Sequence, residues 1–467
     1  MCGILGIIGQ NCEASKLAYF GLYAQQHRGQ ESAGIAVVAE KGEIHYHKGM
    51  GLVSQVFNEN IIRGLPGNLA VGHVRYSTTG ASQIKNAQPV LVELPDGALL
   101  LAHNGNLVNT LELRGELESA GVAWRMSSDT EIIGCLIAKY YNGDLADTLV
   151  RVAPKLQGAF SLVLMTRDKI LGLRDPHGIR PLCLGQLPDK SGFVLASESC
   201  ALDILGAKLL REVDKGSLVI LEKDRVRSLV YDGTKPGALC VFEYIYFARP
   251  DSYIEGHNVY KVREKMGKLL FQEHPADADI VIPVPDSGIP AAVGFARASG
   301  IPYEEGLIKN RYVGRTFINP SQVMREIGVR LKLNPLREVL AGKRVVILDD
   351  SIVRGTTSAK LVRLLRDSGA REVHFRVSAP PSISPCYYGI DTPVKSQLIA
   401  ANNSAAEICR KLGADTLGYL SIEAVHEAIA ASADGSNGKC FCQGCFDGVY
   451  PAGIPSGEEL GLVYKER

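Results

Sequence analysis

The sequence predicts two domains of different class: an α+β domain built on antiparallel sheets, then an α/β domain built on a parallel sheet. Three observations carry this. Between 158 and 231, short apolar runs at 159–165, 170–173, 193–196, 217–221 and 225–230 alternate with turn residues such as Asp175-Pro176-His177-Gly178. That is the pattern of antiparallel strands. Asp232-Gly233-Thr234-Lys235-Pro236-Gly237 then forms a Gly/Pro-rich break. Beyond it, Val345-Val346-Ile347-Leu348 is a short, mostly β-branched apolar run, as in a buried parallel strand. It leads through a turn into a helix with apolar Leu361, Val362, Leu364 and Leu365. The expected domains are 2–235 and 240–467.

The totals narrow the class of function. A chain of 467 residues is long enough for two or three domains with a large core. Lys plus Arg number 51 against 50 Asp plus Glu, a formal charge of +1, which argues against nucleic acid or an anionic membrane as main partner. No apolar run reaches membrane-spanning length, and the start lacks the basic region and cleavage site of a signal peptide. A cytoplasmic protein is expected. Eleven scattered Cys, an odd number, argue against a disulfide framework and for thiol or metal chemistry in a reducing compartment.

The chain opens Met1-Cys2-Gly3-Ile4-Leu5-Gly6-Ile7-Ile8-Gly9, an apolar run expected to be a buried strand. If Met1 is removed, Cys2 carries both a thiol and a free α-amino group. Such an amine has a pKa of about 7.7–8.0 and can take a proton near neutral pH. Nucleophile and base then share one residue. A helix is expected over 13–26, followed by Gln26-His27-Arg28-Gly29-Gln30-Glu31-Ser32-Ala33-Gly34 and a strand at 35–39. Gly72-His73-Val74-Arg75-Tyr76-Ser77-Thr78 and Ala102-His103-Asn104-Gly105-Asn106-Leu107 come later. Ser127-Ser128-Asp129-Thr130-Glu131 opens a helix with Ser and Asp in capping positions. Alone, each segment reads as an ordinary turn or cap.

In this order after Cys2, they resemble the glutaminase domain of the N-terminal-nucleophile amidotransferases, over about the first 230 residues, an ordinary size for a large domain. The resemblance implies a four-layer αββα fold. It implies that Arg75 binds the glutamine α-carboxylate, as a planar guanidinium fork suits, and that Asp129 holds the α-ammonium. Asn104 and the Gly105 N–H form the oxyanion hole. Arg28 supports the Cys2 region, and Tyr76 and Thr78 border the pocket.

In the second half, aromatics in Glu243-Tyr244-Ile245-Tyr246-Phe247 are expected at the domain interface. Helices are expected around Val262, Met266, Leu269 and Leu270, around 403–412 and over 421–432; a strand is expected over 373–381. Two strand-to-turn units stand out. One is Ile280-Val281-Ile282-Pro283-Val284-Pro285-Asp286-Ser287-Gly288, feeding a helix that ends near Gly300. The other is the 345–348 strand followed by Asp349-Asp350-Ser351-Ile352-Val353-Arg354-Gly355-Thr356-Thr357-Ser358. Small hydroxyl residues at a strand-to-helix turn present N–H groups and a positive helix end to an anion. Two carboxylates beside such a site make sense if the ligand also brings Mg²⁺ or hydroxyls. A Walker loop is excluded, because no Gly-Lys-Ser/Thr follows Gly355 at the required spacing.

The second unit resembles the phosphoribosyl-pyrophosphate (PRPP) loop of the type I phosphoribosyltransferases, and the first resembles their pyrophosphate loop. The resemblance implies PRPP binding by Asp349, Asp350, Ser351, Arg354, Gly355, Thr356, Thr357, Ser358 and Arg311. It implies one Mg²⁺ per subunit at Ser287, Asp349 and Asp350. The basic stretch from Lys309 through Arg311, Arg315, Arg325, Arg330 and Lys332 reads as a lid that closes over pyrophosphate.

The tail holds Cys440-Phe441-Cys442-Gln443-Gly444-Cys445, whose C-x-x-C suits redox, zinc or iron–sulfur chemistry. Cys240 before Phe242-Glu243-Tyr244, and Cys386 in Pro385-Cys386-Tyr387-Tyr388-Gly389, resemble their counterparts in the iron–sulfur branch of the amidotransferases. That implies a [4Fe-4S] cluster on Cys240, Cys386, Cys442 and Cys445, with Cys440 spare. Members of that branch often carry a short propeptide, whereas Cys2 here directly follows Met1.

Both centres on one chain resemble the PRPP-using amidotransferases. The implied reaction moves ammonia from glutamine to PRPP and yields phosphoribosylamine, pyrophosphate and glutamate, the committed step of purine (IMP) synthesis. A shielded ammonia path, a homotetramer and feedback inhibition by purine nucleotides are implied with it. Another amidotransferase, such as the hexosamine synthase, is disfavoured by Asp349-Asp350. A regulatory module that only senses PRPP or nucleotides is disfavoured because Cys2, Arg75, Asn104 and Asp129 are all present.

Overall fold

The computed structural model describes residues 1–10, 12–39, 41–76, 80–312, 333–392, 394–430 and 440–457. The first half is organised by the strand Gly3–Gly9. Successive side chains on a strand point to opposite faces, and this strand is apolar on both. Leu5 and Ile7 join the core shared with the helix Ala14–Ala24, while Ile4 and Ile8 join the core between two sheets. The strand is therefore central in its sheet. Leu69–Arg75 and Gly192–Ala196 flank it, and Ser32–Val38, Ile44–Met50, Cys183–Gln186 and Lys208–Glu212 complete an antiparallel sheet of seven.

A second antiparallel sheet has six strands, in the order Arg225–Val230, Ser217–Glu222, Ile170–Arg174, Gly158–Met165, Gly97–Leu107 and Val90–Leu94. Its outer face packs on the helices Thr110–Glu118, Asp129–Tyr140 and Leu145–Val152 through Leu117, Ile133, Leu136 and Leu149. Its inner face meets the first sheet through Leu100, Ala102, Val163 and Met165. The result is the expected αββα stack.

The second half carries a parallel sheet ordered Ile280–Pro283, Arg344–Asp349, Glu372–Val377 and Thr416–Tyr419. Val345 to Leu348 are wholly buried, as a strand covered by helices on both faces requires. The helices Val259–Glu273, Ile289–Ser299, Thr356–Asp367, Ala405–Leu412 and Ile422–Ala430 surround the sheet. Near the chain's end, Phe441–Cys442 pairs in parallel with Leu239–Cys240, bringing the tail back to the start of this half.

Some expected elements change length. The first helix stops at Ala24, and Gln26–Arg28 forms a 3-10 turn instead. The strand expected over 373–381 ends at Val377, where the Ser378 N–H turns to the Asp349 carbonyl and the chain runs into Pro380 and Pro381. Ser128 occupies the N-cap of Asp129–Tyr140 but makes no capping hydrogen bond, and Asp129 is turned to other work.

Candidate active site

Cys2 directly precedes the central strand, and that strand pairs Gly3 with Val74, so Cys2 lies beside Arg75 at one end of the sandwich. The Cys2 nitrogen donates to Asn104 Oδ1 at 3.2 Å. The Tyr76 N–H reaches Cys2 Sγ at 3.5 Å, and Arg28 Nε donates to the Cys2 carbonyl at 3.0 Å. Burial pushes the Cys2 thiol up, against the pull of the terminal ammonium, the Tyr76 backbone and Arg75. While Met1 is attached, the Cys2 nitrogen is an amide and cannot accept a proton. Met1 itself is buried, packed with Val108, Ala159 and Ile179.

Asn104 is fully buried on Gly97–Leu107. Its Oδ1 is tied to the Cys2 nitrogen, and that bond fixes which way the amide points. Its Nδ2 has no partner among the described residues. A buried donor left open beside a nucleophile is the arrangement an oxyanion needs. Gly105 follows at a position closed to side chains: a Cβ there would lie 2.0 Å from the Ala159 carbonyl oxygen.

Arg75 donates to the Ala81 and Gly80 carbonyls at 3.1 and 3.2 Å, with Glu31 at 3.9 Å. Asp129 Oδ2 accepts from the Leu107 N–H at 3.1 Å, and Oδ1 lies 3.6 Å from His103 Nδ1. Burial alone would raise the Asp129 carboxyl, but His103, the Leu107 N–H and Arg75 outweigh it and hold it below its ordinary value. Cys2, Arg28, Arg75, Tyr76, Asn104, Gly105 and Asp129 thus gather at one site. Thr78 lies outside the described residues.

Sequence reasoning missed the support beneath this site. Arg28 donates to Glu243 Oε1 and Oε2 at 2.9 and 3.1 Å and also pairs with Glu198. Glu198 further accepts from the Arg249 N–H at 2.9 Å and Ser252 Oγ at 2.8 Å, with His27 Nε2 at 2.7 Å. Both acids are buried and far from Arg28 in sequence, so no local spacing marks them. His103 stood inside a motif that did signal the site, without a role assigned to it.

The second centre lies at the carboxyl ends of Ile280–Pro283 and Arg344–Asp349, which pair in parallel. Ser287 Oγ and Ser351 Oγ both donate to the Asp350 carboxylate, and the Asp350 N–H donates to Asp349 Oδ1 at 2.9 Å. Burial and the neighbouring Asp350 charge push Asp349 well above the carboxylate range. Burial also raises Asp350, with Ser287, Ser351 and Arg263 pulling the other way. Such a pair calls for a cation or for donor hydroxyls. Gly355 N-caps the helix Thr356–Asp367 at φ +76, where a Cβ would also lie 2.6 Å from Ile399. Ser351, Arg354, Thr356 and Thr357 thus border one turn, whereas Ser358 is buried on the face of the helix that carries Leu361 and Leu365. Arg311 is exposed, just past the strand Leu307–Lys309. The rest of the expected lid, 313–332, lies outside the described residues.

Four cysteines converge elsewhere. Cys240 is paired in register with Cys442. The Tyr388 N–H donates to Cys386 Sγ at 3.3 Å, and the Ile383 and Ser384 N–H groups hold the Cys445 carbonyl at 2.9 and 3.1 Å. All four thiols are free. Burial raises Cys240 to about 11 and lifts Cys442 and Cys445 too, and the thiols lie close enough to raise one another. Cys440 is exposed.

The fold and these two centres define a glutamine amidotransferase joined to a phosphoribosyltransferase. Residues 73–203 match the glutamine amidotransferase domain family, and 252–386 match the phosphoribosyl transferase domain family. The chain is 52% identical over 458 residues to an amidophosphoribosyltransferase of Synechococcus elongatus, covering 97% of this chain and 92% of that one. It superimposes with a TM-score of 0.91 on the allosteric regulatory enzyme of purine biosynthesis, at 47% identity over 98% of this chain and 97% of that one. It superimposes equally well on the glutamine PRPP amidotransferase of B. subtilis complexed with ADP and GMP, with a TM-score of 0.90, 46% identity and 98% of each chain covered. The chain belongs to the amidophosphoribosyltransferase family.

Proposed function

We propose that the two centres run in series, with residues 2–235 releasing ammonia from glutamine and 240–467 spending it on PRPP. The overall reaction converts glutamine, PRPP and water to 5-phosphoribosylamine, pyrophosphate and glutamate, and commits PRPP to purine synthesis. The observation that carries this reading is that one chain builds both centres.

In the glutaminase half, Arg75 turns from the Gly80 and Ala81 carbonyls to the substrate carboxylate, and Asp129 takes the substrate ammonium. With Met1 removed, the Cys2 amine accepts the thiol proton. The thiolate attacks the side-chain amide carbon, and the oxyanion meets Asn104 Nδ2 and the Gly105 N–H. Each such donor contributes about 2.7–4 kcal/mol to the transition state. The Cys2 amine returns its proton to the leaving nitrogen as the C–N bond breaks and ammonia departs. Water then cleaves the thioester, regenerates the thiol and frees glutamate. Tyr76 borders this pocket.

In the transferase half, the substrate is Mg²⁺·PRPP. Asp349, Asp350 and Ser287 suit the metal, because the two raised carboxyls gain most from a cation. Ser351, Arg354, Gly355, Thr356 and Thr357 suit the 5-phosphate, and Arg311 with the basic stretch suits pyrophosphate. Ammonia attacks ribose C1, the C1–oxygen bond breaks, and pyrophosphate leaves with its charge neutralised by the bound metal.

Cys240, Cys386, Cys442 and Cys445 would hold a [4Fe-4S] cluster as a structural cross-link. Four free thiols that lie close to one another, with Cys240 and Cys442 buried and Cys386 and Cys445 half-buried, support this. Four thiolates suit iron–sulfur and zinc alike, and the likeness of the Cys240 and Cys386 contexts to the iron–sulfur branch favours iron. The ADP and GMP bound by the B. subtilis enzyme support feedback inhibition by purine nucleotides here. No helix among the described residues is long and apolar enough to cross a membrane. We read the enzyme as a cytoplasmic homotetramer.

The test is to mix purified protein with amide-¹⁵N glutamine and Mg²⁺·PRPP. Equal amounts of glutamate and pyrophosphate, with ¹⁵N in the ribosylamine, are expected. Glutamate without pyrophosphate would reduce the protein to a glutaminase.

A further inference from the structure

We propose that the turn Tyr387-Tyr388-Gly389 of the transferase half is a positioning element for the oxyanion hole of the glutaminase half. The proposal rests on the assignment of Asn104 and Gly105 to that hole.

Each residue of the turn grips the glutaminase half at a different point. The Tyr387 carbonyl accepts from Asn106 Nδ2 at 3.0 Å, one residue beyond Gly105. The Tyr388 carbonyl accepts from Arg180 Nε at 2.9 Å and from its Nη2, and Arg180 is wholly buried. Gly389 lies against Gly105 itself. A Cβ on Gly389 would stand 3.1 Å from the Gly105 oxygen, 3.2 Å from its carbonyl carbon and 3.4 Å from its Cα. On its other side Gly105 faces the Ala159 carbonyl, closer than any side chain would allow. The strand is therefore clamped between its own sheet and the other half of the enzyme.

The turn is also fixed from behind. Tyr388 is buried, its hydroxyl donating to the Gly453 carbonyl at 2.7 Å and accepting from the Ala452 N–H at 2.8 Å. A shift in the carboxyl-terminal segment or the transferase half is therefore passed to the strand that carries Asn104 and Gly105, the same strand whose Leu107 N–H holds Asp129. Close-packed interiors transmit such shifts, and a misplacement of about 1 Å can cost about a hundredfold in rate.

The decisive variant is Gly389→Ala, whose methyl presses on Gly105 at a residue with φ +106. In the full-length enzyme, kcat for glutamine-dependent synthesis should fall about tenfold. The ammonia-dependent rate should stay within about twofold, since the PRPP centre is not touched, and kcat should fall by a larger factor than the glutamine KM rises. Alkylation of Cys2 by iodoacetamide, which needs no oxyanion hole, should keep its rate. Asn106→Ala, which releases Tyr387, should shift kcat in the same direction and decides the matter if Gly389→Ala does not fold. Asn104→Ala separates the two ideas. If it retains glutamine turnover, the oxyanion-hole assignment fails. If it abolishes turnover while Gly389→Ala and Asn106→Ala leave kcat unchanged, the positioning role fails. A rise in KM alone, or equal loss of the ammonia route, also overturns it.

Discussion

Arg28 and Glu243 meet in a two-pronged ion pair with neither side chain exposed, Nη2 to Oε1 at 2.9 Å and Nη1 to Oε2 at 3.1 Å. The same guanidinium holds the Cys2 carbonyl through Nε and pairs with Glu198. One side chain thus joins the nucleophile, its own domain and the start of the second half. Removing one partner of such a pair strands a buried charge, at a cost of about 3–5 kcal/mol. Glu243→Ala should lower stability by that order in urea denaturation, and Glu243→Gln, which keeps a hydrogen-bond acceptor, by less. A loss below about 1 kcal/mol would mean that Glu198 alone satisfies Arg28.

Acid should weaken the fold in two stages. Burial holds His73 at about 3, below the ordinary histidine value of about 6.5. Burial opposes ionisation of Glu198, but His27, Arg28 and the Arg249 N–H prevail and hold its carboxyl well below the usual range. Both folded pKa values are depressed, so both groups stabilise the fold above their unfolded pKa and lose that contribution as pH falls. The loss should begin near pH 6.5 with His73 and steepen below about pH 4.3 with Glu198. Denaturation at stepped pH should show this, and His73→Gln should flatten the upper stage by at most about 1.4 kcal/mol per pH unit. An unchanged slope in that variant would remove His73 from the account.

Cys2→Ala should abolish glutamine-dependent synthesis and leave the ammonia-dependent rate within about twofold, because only the first centre is lost. Intact mass of active enzyme should lack Met1, since an acylated Cys2 nitrogen cannot serve as base. Full activity with Met1 retained would rule out the N-terminal base.

Asp349→Asn and Asp350→Asn should each depress both routes by about a hundredfold or more, because glutamine-derived and added ammonia meet the same PRPP. The two acids differ in partners: Asp350 accepts from Ser287 and Ser351, whereas Asp349 accepts from the Asp350 N–H. Loss of the glutamine route alone in either variant would place the acids outside the PRPP site.

The readable parts of this molecule were those written locally. Val345 to Leu348 announced a buried strand because burial on both faces leaves an unbroken apolar run. Asp349-Asp350 and the turn after it announced a ligand because packing alone does not select such a set. Taken alone, the Asp129 segment reads only as a cap, and its expected role came from the resemblance. A carboxylate at a helix start has two uses, and the Leu107 N–H and His103 that divert it come from another strand. Glu198 and Glu243 left no mark at all, since their partner Arg28 stands 170 and 215 residues away. The clamp of Gly389 on Gly105 is likewise a product of packing between halves, invisible to any spacing rule.

The cysteine set yields the last prediction. Cys442 and Cys445 stand on the tail, Cys240 opens the second half, and Cys386 follows the third parallel strand, so a shared ligand would tie three distant segments together. Pairing of Cys240 with Cys442 in register already brings two of them side by side. Burial raises Cys240, Cys442 and Cys445, so as free groups these three stay protonated and inert, and iron is what would draw off their protons. Cys440, exposed and outside the group, should be dispensable, and Cys440→Ser should keep full metal content. Protein purified without dioxygen should be brown, with about four irons and four sulfides per chain. Cys386→Ser should lose the colour and melt several degrees lower, because the cross-link to the tail goes with the cluster. Slow bleaching by dioxygen should lower stability in parallel with iron loss. Colourless, active protein holding one zinc, or no metal, would sink the cluster and leave the four thiols as a packed core.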